Sequence, residues 1–168
     1  MATPAAALGA MLADVDFVLM GAGVLREIPR LLTDLSEGRV GGVSFDVHGA
    51  DAPERVAVEP QDLLGVPVPA LRRPLFLAIV SAAVLATYLA RDDSTRPDGF
   101  VIEGSPTGGH YAPSRGKPVL DEDGQPAYGK RDEVDLTKVA ALDRPSGSPA
   151  ATATRTGSTR RSPPAQQG

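Results

Sequence analysis

Leu75-Phe76-Leu77-Ala78-Ile79-Val80 decides the fold. A short, unbroken apolar run of this kind fits a strand buried within a sheet. Beyond Ser81, residues 82–90 read as a helix packed behind that strand, and Phe100-Val101-Ile102-Glu103 reads as a second buried strand. Strand, helix, strand in that order implies a parallel sheet, doubly wound or closed into a barrel. The whole run 75–90 is sixteen residues without a charge, and a membrane-spanning helix needs about 20. Arg72 and Arg73 precede it and Arg91, Asp92 and Asp93 follow it. We therefore read it as a strand leading into a packed helix and expect no membrane span.

The same alternation extends outward. Towards the N-terminus, Thr3 and Pro4 form a helix start, a capping hydroxyl followed by proline at the first helical position, with the helix over 5–13. Residues 15–20 form a short apolar strand broken by Asp16, and Gly21-Ala22-Gly23 ends it. Ile28, Leu31, Leu32 and Leu35 share one helical face, and Gly38 is placed to stop that helix. Strands are expected over 42–47, with Val43, Phe45 and Val47 on one side, and over 55–59. Residues 65–74 contain four prolines or glycines and form a loop. Towards the C-terminus, 111–131 is a polar surface excursion and 132–142 a helix with acidic residues in its first turn.

Composition bounds the function. The chain has 168 residues, 42% of them apolar and 23% charged, which suits one domain with its own core. Its net charge of −4 argues against nucleic acid or anionic lipid as a main partner. The absence of cysteine excludes disulfides, zinc thiolate sites and a thiol nucleophile. No basic leader precedes Pro4, so the expected location is the cytoplasm.

Three features compete as carriers of chemistry. Gly21-Ala22-Gly23 lies between a strand and a helix, where backbone N–H groups can meet a phosphate or a ring carbonyl. Arg26 occupies the place of the third glycine of a dinucleotide fingerprint, so a simple tight turn is the competing reading. The second feature is the segment 103–110, Glu-Gly-Ser-Pro-Thr-Gly-Gly-His. The glycines let the backbone approach a ligand, and His110 follows them at the carboxyl end of a strand, where α/β folds bind ligands. An imidazole there can exchange a proton near neutral pH, and an ordinary loop histidine is the alternative. The third is His48 with Asp46, read as a surface pair because no third metal ligand accompanies it. Asp121, Glu122 and Asp123 beside Gly124 read as a solvated turn, and no metal site is expected.

The character changes from residue 145 onward. Residues 146–168 contain no large apolar side chain and read as a disordered tail. A one-nucleotide frame shift offers a second reading. With GC-rich codons, 145–168 can encode Phe-Trp-Leu-Ala-Gly-Gly-Tyr-Gly-Asn-Pro-Asp-Arg-Leu-Asp-Glu-Ala-Leu-Ala-Ala-Gly, a strand, a glycine turn and an amphipathic helix.

Two stretches carry a family resemblance. The first comprises residues 2–6, Ala-Thr-Pro-Ala-Ala, continuing through 16–23, Asp-Phe-Val-Leu-Met-Gly-Ala-Gly; the second comprises 99–104, Gly-Phe-Val-Ile-Glu-Gly, with Gly108-Gly109-His110. Together they resemble the nitronate monooxygenases, FMN-dependent barrel enzymes related to the FMN-dependent enoyl-acyl carrier protein reductases. The Ala-Gly-Gly-Tyr-Gly of the shifted frame is similar to the family's next glycine turn. This chain has Ser105-Pro106-Thr107 where the family has Glu-Ala or a similar pair. The resemblance covers about residues 2–145. It implies an α/β fold, a partial TIM-type β/α barrel of parallel strands over 1–144, ahead of the tail over 145–168 that composition reads as disordered or frame-shifted. It further implies FMN as cofactor, Gly21, Ala22, Gly23, Gly108 and Gly109 near the flavin, His110 as catalytic base, and a small nitronate-like substrate. The alternatives are an FMN-dependent NAD(P)H or enoyl-type reductase, or an inactive, non-enzymatic truncated product. A barrel closes with eight strands; about five are legible here, so the chain is read as a fragment, expected to be unstable or prone to associate and to hold little FMN. Nothing in the sequence sets the number of subunits.

Overall fold

Apolar runs of four to six residues set between glycines, prolines and charged turns produce the strands, and the three-to-four-residue apolar spacing produces the principal helix. The computed structural model describes residues 2–104, 119–124, 127, 129, 133–142 and 152–155. In chain order the elements are α1 (Thr3–Leu12), β1 (Phe17–Met20), a 3-10 turn (Leu25–Glu27), α2 (Ile28–Ser36), β2 (Gly41–Phe45), β3 (Glu54–Val58), α3 (Pro60–Leu64), β4 (Leu75–Val80), α4 (Ala83–Leu89), β5 (Gly99–Glu103), α5 (Leu136–Ala140) and β6 (Thr152–Arg155).

The protein is α/β, built on a parallel sheet in the order β1-β4-β5-β6. Phe17 pairs with Leu75, Leu19 with Leu77, Leu77 with Gly99, and Ile79 with Val101. Among the described residues this sheet is open and does not close into a barrel. One face is the core face. Phe76, Ala78, Val80, Phe100 and Ile102 are buried on it, and Val18 and Met20 pack against the same cluster. The helices supply the other half of the core. Ile28, Leu31, Leu32 and Leu35 of α2 are at most 1% exposed, so the expected stripe is buried along its length. Each such side chain contributes about 1.5–3 kcal/mol of burial. Val139 anchors α5.

The expected strand pair is an antiparallel hairpin, β2 with β3, separate from the parallel sheet. Gly41 explains how closely it packs on α2. A Cβ built there would lie 2.6 Å from Leu35 Cγ and 2.8 Å from Leu31 Cδ1. Strand β2 stops at Phe45, earlier than expected. Val43 is fully buried, whereas Val47 lies beyond the strand and is exposed.

A polar latch fixes the amino-terminal edge of the sheet. Asp98 Oδ2 accepts from the Phe76 backbone N–H at 2.8 Å and from Arg73 Nη1 at 2.8 Å. Arg73 Nε donates to Thr33 Oγ1 at 3.1 Å, which ties the latch to α2. Beside it, Arg72 holds the α1–β1 connection by donating to the Asp14 carboxylate and to the Asp14 carbonyl, each at 2.7 Å. Asp14 occupies the left-handed region at φ 53°. The Asp14 hydrogen bond and charge, with Asp16 beside them, hold the Arg72 guanidinium above its ordinary pKa.

Several sequence expectations are corrected. Helix α1 begins at Thr3 with Ala2 at the cap position, so no side chain caps it. The helix expected over 132–142 is confined to Leu136–Ala140, with Asp135 as its cap. Thr152–Arg155 pair with β5 as β6. The short α3, Pro60–Leu64, was not anticipated.

Candidate functional site

Because the sheet strands run parallel, their carboxyl ends share one edge, the edge at which α/β folds bind ligands. Strand β1 reaches it at Met20 and continues into Gly21, Ala22 and Gly23. The three residues differ in what they do. An added Cβ at Gly21 would sit 3.1 Å from Ile79 Cβ, so the chain just past β1 packs closely on β4 here. Gly23 turns the chain at φ 83°, a conformation that favours glycine. Ala22 and Gly23 are exposed, and their N–H groups have no hydrogen-bond partner among the described residues. Two exposed donors at this edge fit an oxyanion, a phosphate oxygen or a ring carbonyl.

Gly108, Gly109 and His110 lie outside the described residues, as do Ser105, Pro106 and Thr107. What is described is the stem that leads to them. Strand β5 ends at Glu103 and is followed by Gly104. Six peptide units then separate Gly104 from His110, a reach of about 20 Å at most.

A cleft of about 700 Å³ opens beside the Gly23 turn. It lies between the 3-10 turn, the end of β2 and α4. Leu25, Phe45, Leu85 and Leu89 supply apolar wall, and Arg26, Asp46 and Tyr88 supply polar rim. Arg26 Nη1 donates to the Tyr88 hydroxyl at 3.0 Å, and its guanidinium carbon lies 5.0 Å from the centre of the Tyr88 ring. Glu27 is committed elsewhere, since its Oε2 accepts from the Ser44 N–H at 2.8 Å. Asp92 is also committed: its Oδ1 accepts from the Ser94 N–H at 2.9 Å and from the Ser94 hydroxyl at 2.8 Å. Those two bonds hold Asp92 below the usual carboxylate range, and the charge of Arg26 adds to the effect.

Sequence reading missed this cleft. Arg26 drew notice only as the residue that breaks a glycine fingerprint, and Tyr88 lies 62 positions away on another element. Leu85 and Tyr88 lie three apart on α4, and that helical spacing is the one signal that could have linked them. His48 lies on an exposed turn past β2. No group of three or more His, Asp or Glu side chains among the described residues could hold a metal ion. Asp121 closes a local turn, its carboxylate accepting from the Asp123 N–H at 3.0 Å, with Gly124 at φ 75°. No helix among the described residues is long and apolar enough to cross a membrane. No protein-family model, no curated protein and no solved structure matches this chain.

Proposed function

We propose that this chain is part of an FMN-dependent oxidoreductase of the nitronate monooxygenase type, a partial β/α barrel acting on a small nitronate-like substrate. The observation that supports it best is the shared carboxyl edge of parallel β1, β4 and β5. The exposed N–H groups of Ala22 and Gly23 lie at that edge, and β5 ends there a few residues before Gly108-Gly109-His110.

On this reading FMN, when bound, supplies the electron acceptor that no side chain here provides. Ala22 and Gly23 offer their N–H groups to an oxygen of the cofactor. Gly21, Gly108 and Gly109 would lie near the flavin, where the lack of a side chain allows close backbone approach. His110 would take the proton from the carbon beside the nitro group of a nitroalkane or, where the substrate is already the nitronate, assist as it gives up an electron to the flavin, roles suited to an imidazole near neutral pH.

The test is oxygen uptake by the purified chain with FMN added in excess and an alkyl nitronate as substrate. Because the described sheet is open, little FMN is expected to co-purify, so the cofactor is supplied. Nitronate-dependent uptake that disappears in His110→Ala supports the proposal. Rapid flavin reduction by NADPH without nitronate would redirect it to an enoyl-type reductase. A folded chain with neither FMN binding nor uptake would leave the non-enzymatic reading standing.

A further inference from the structure

Arg26, like Arg55 and Arg91, forms no ion pair among the described residues, and of these three it is the one that lines the cleft. Arg30, Arg39, Arg72 and Arg73 each lie within 4.0 Å of a carboxylate. Arg26 has no ion pair among the described residues, although two acids are close. The reason is visible: Asp92 is turned onto Ser94 and Glu27 onto the Ser44 N–H. Tyr88 meanwhile fixes the guanidinium at the cleft rim through its hydroxyl and its ring face. Only one of the five guanidinium donors is used in that hydrogen bond, which leaves the fork able to take a planar oxyanion through two parallel bonds. The Tyr88 hydroxyl accepts from Arg26, so its own proton is available to the same oxyanion.

The rest of the cleft narrows the ligand. Its wall is apolar, formed by Leu25, Phe45, Leu85 and Leu89. One cation stands on the rim, with Asp46 on the same rim and Glu27 beside it. That balance suits a monoanion and opposes a phosphate dianion.

We propose that this cleft is a binding site for a small organic carboxylate with an apolar body, its carboxylate held by Arg26 and Tyr88 and its hydrocarbon part laid on Leu25, Phe45, Leu85 and Leu89. The proposal goes beyond the flavin reading and does not rest on it, so a chain that never takes up FMN still tests it.

The experiment is a titration of the flavin-free chain with 3-phenylpropanoate, followed by amide and side-chain NMR shifts. Saturable shifts are expected at residues 23–27, at Phe45 and at Tyr88. Arg26→Gln should weaken binding about tenfold, the loss of roughly one strong charge-assisted interaction. Arg26→Lys, which keeps the charge without the fork, should fall between Gln and the parent. Two comparison ligands separate the contributions. The neutral 3-phenylpropanol should bind about tenfold more weakly, and acetate should show no saturable binding. Equal affinity for acid and alcohol would overturn the proposal. So would unchanged affinity in Arg26→Gln, or the absence of saturable shifts at these residues at millimolar ligand.

Discussion

Gly23 and Gly41 show how differently a missing side chain can matter. Gly23 is set by its backbone angle, whereas Gly41 is set by what lies against it. A Cβ at Gly41 would fall 2.6–2.8 Å from Leu35 and Leu31, both fully buried, with no open space to receive them. Gly41→Ala is therefore expected to destabilise by about 2 kcal/mol through overpacking. Leu35→Ala alone should cost about 2–5 kcal/mol by leaving a cavity. The two together should cost less than their sum, because each relieves the other, and urea unfolding of the four proteins measures that coupling. Asp98 carries a comparable load. Removing it in Asp98→Ala strands the Phe76 N–H and Arg73 at the amino edge of the sheet. The expected loss is about 2 kcal/mol, with Asp98→Asn intermediate because its amide oxygen still accepts from Phe76. A wild-type unfolding midpoint in Asp98→Ala would show the latch to be inert. No sequence pattern marks this pair, since 25 residues separate Arg73 from Asp98 and only the sheet brings them together.

Legibility at the level of elements followed burial. Strand β4, helix α4 and strand β5 were readable almost to the residue, because continuous apolar character is what a strand inside a parallel sheet must have. The α2 stripe was readable for the equivalent helical reason. Polar segments gave poorer boundaries. Residues 132–142 carry acids that favour a helix start anywhere in the segment, and the structure selects Asp135, whose carboxylate accepts from the Lys138 N–H at 3.2 Å. The catalytic-base assignment rested on a family resemblance, and its residues fall outside the described ones, whereas the cleft depends on a contact across 62 positions that no local pattern encodes. The α5 cap makes a pH prediction. The Lys138 backbone N–H is the first cause, and the Lys138 side chain the second, of a folded-state Asp135 pKa below its ordinary 3.8. A depressed carboxylate stabilises the folded state above its unfolded pKa and loses that contribution as pH falls through the folded value. Amide protection in α5 should therefore be constant near neutrality and weaken below about pH 4. Asp135→Asn should keep the cap while removing this acid dependence, and Asp135→Ala should lower protection at every pH. Identical acid profiles for the parent and Asp135→Asn would assign the loss to another group.

The molecule as a whole carries an imbalance that its elements do not show separately. Parallel sheets are normally covered on both faces. Here the face opposite the core presents Phe17 and Leu19 of β1, which are 46% and 52% exposed. Strand β1 is also an edge of the described sheet, and it contains no charge and no proline to discourage pairing. Exposed backbone edge and exposed apolar face coincide on one strand, the combination that promotes association between chains. Sedimentation at increasing concentration should show self-association, and Leu19→Lys should shift the chain towards monomer by placing a charge on that surface. Because Leu19 is half exposed, the same change should leave the unfolding midpoint nearly unaltered. Val84 provides the comparison. It is the more exposed residue, at 76%, but it stands on helix α4, whose backbone groups are paired within the helix. If exposed apolar area alone drove association, Val84→Lys would act as strongly as Leu19→Lys. If the open edge of the sheet is responsible, Val84→Lys should leave the sedimentation profile unchanged, and equal effects of the two substitutions would refute the role assigned to β1.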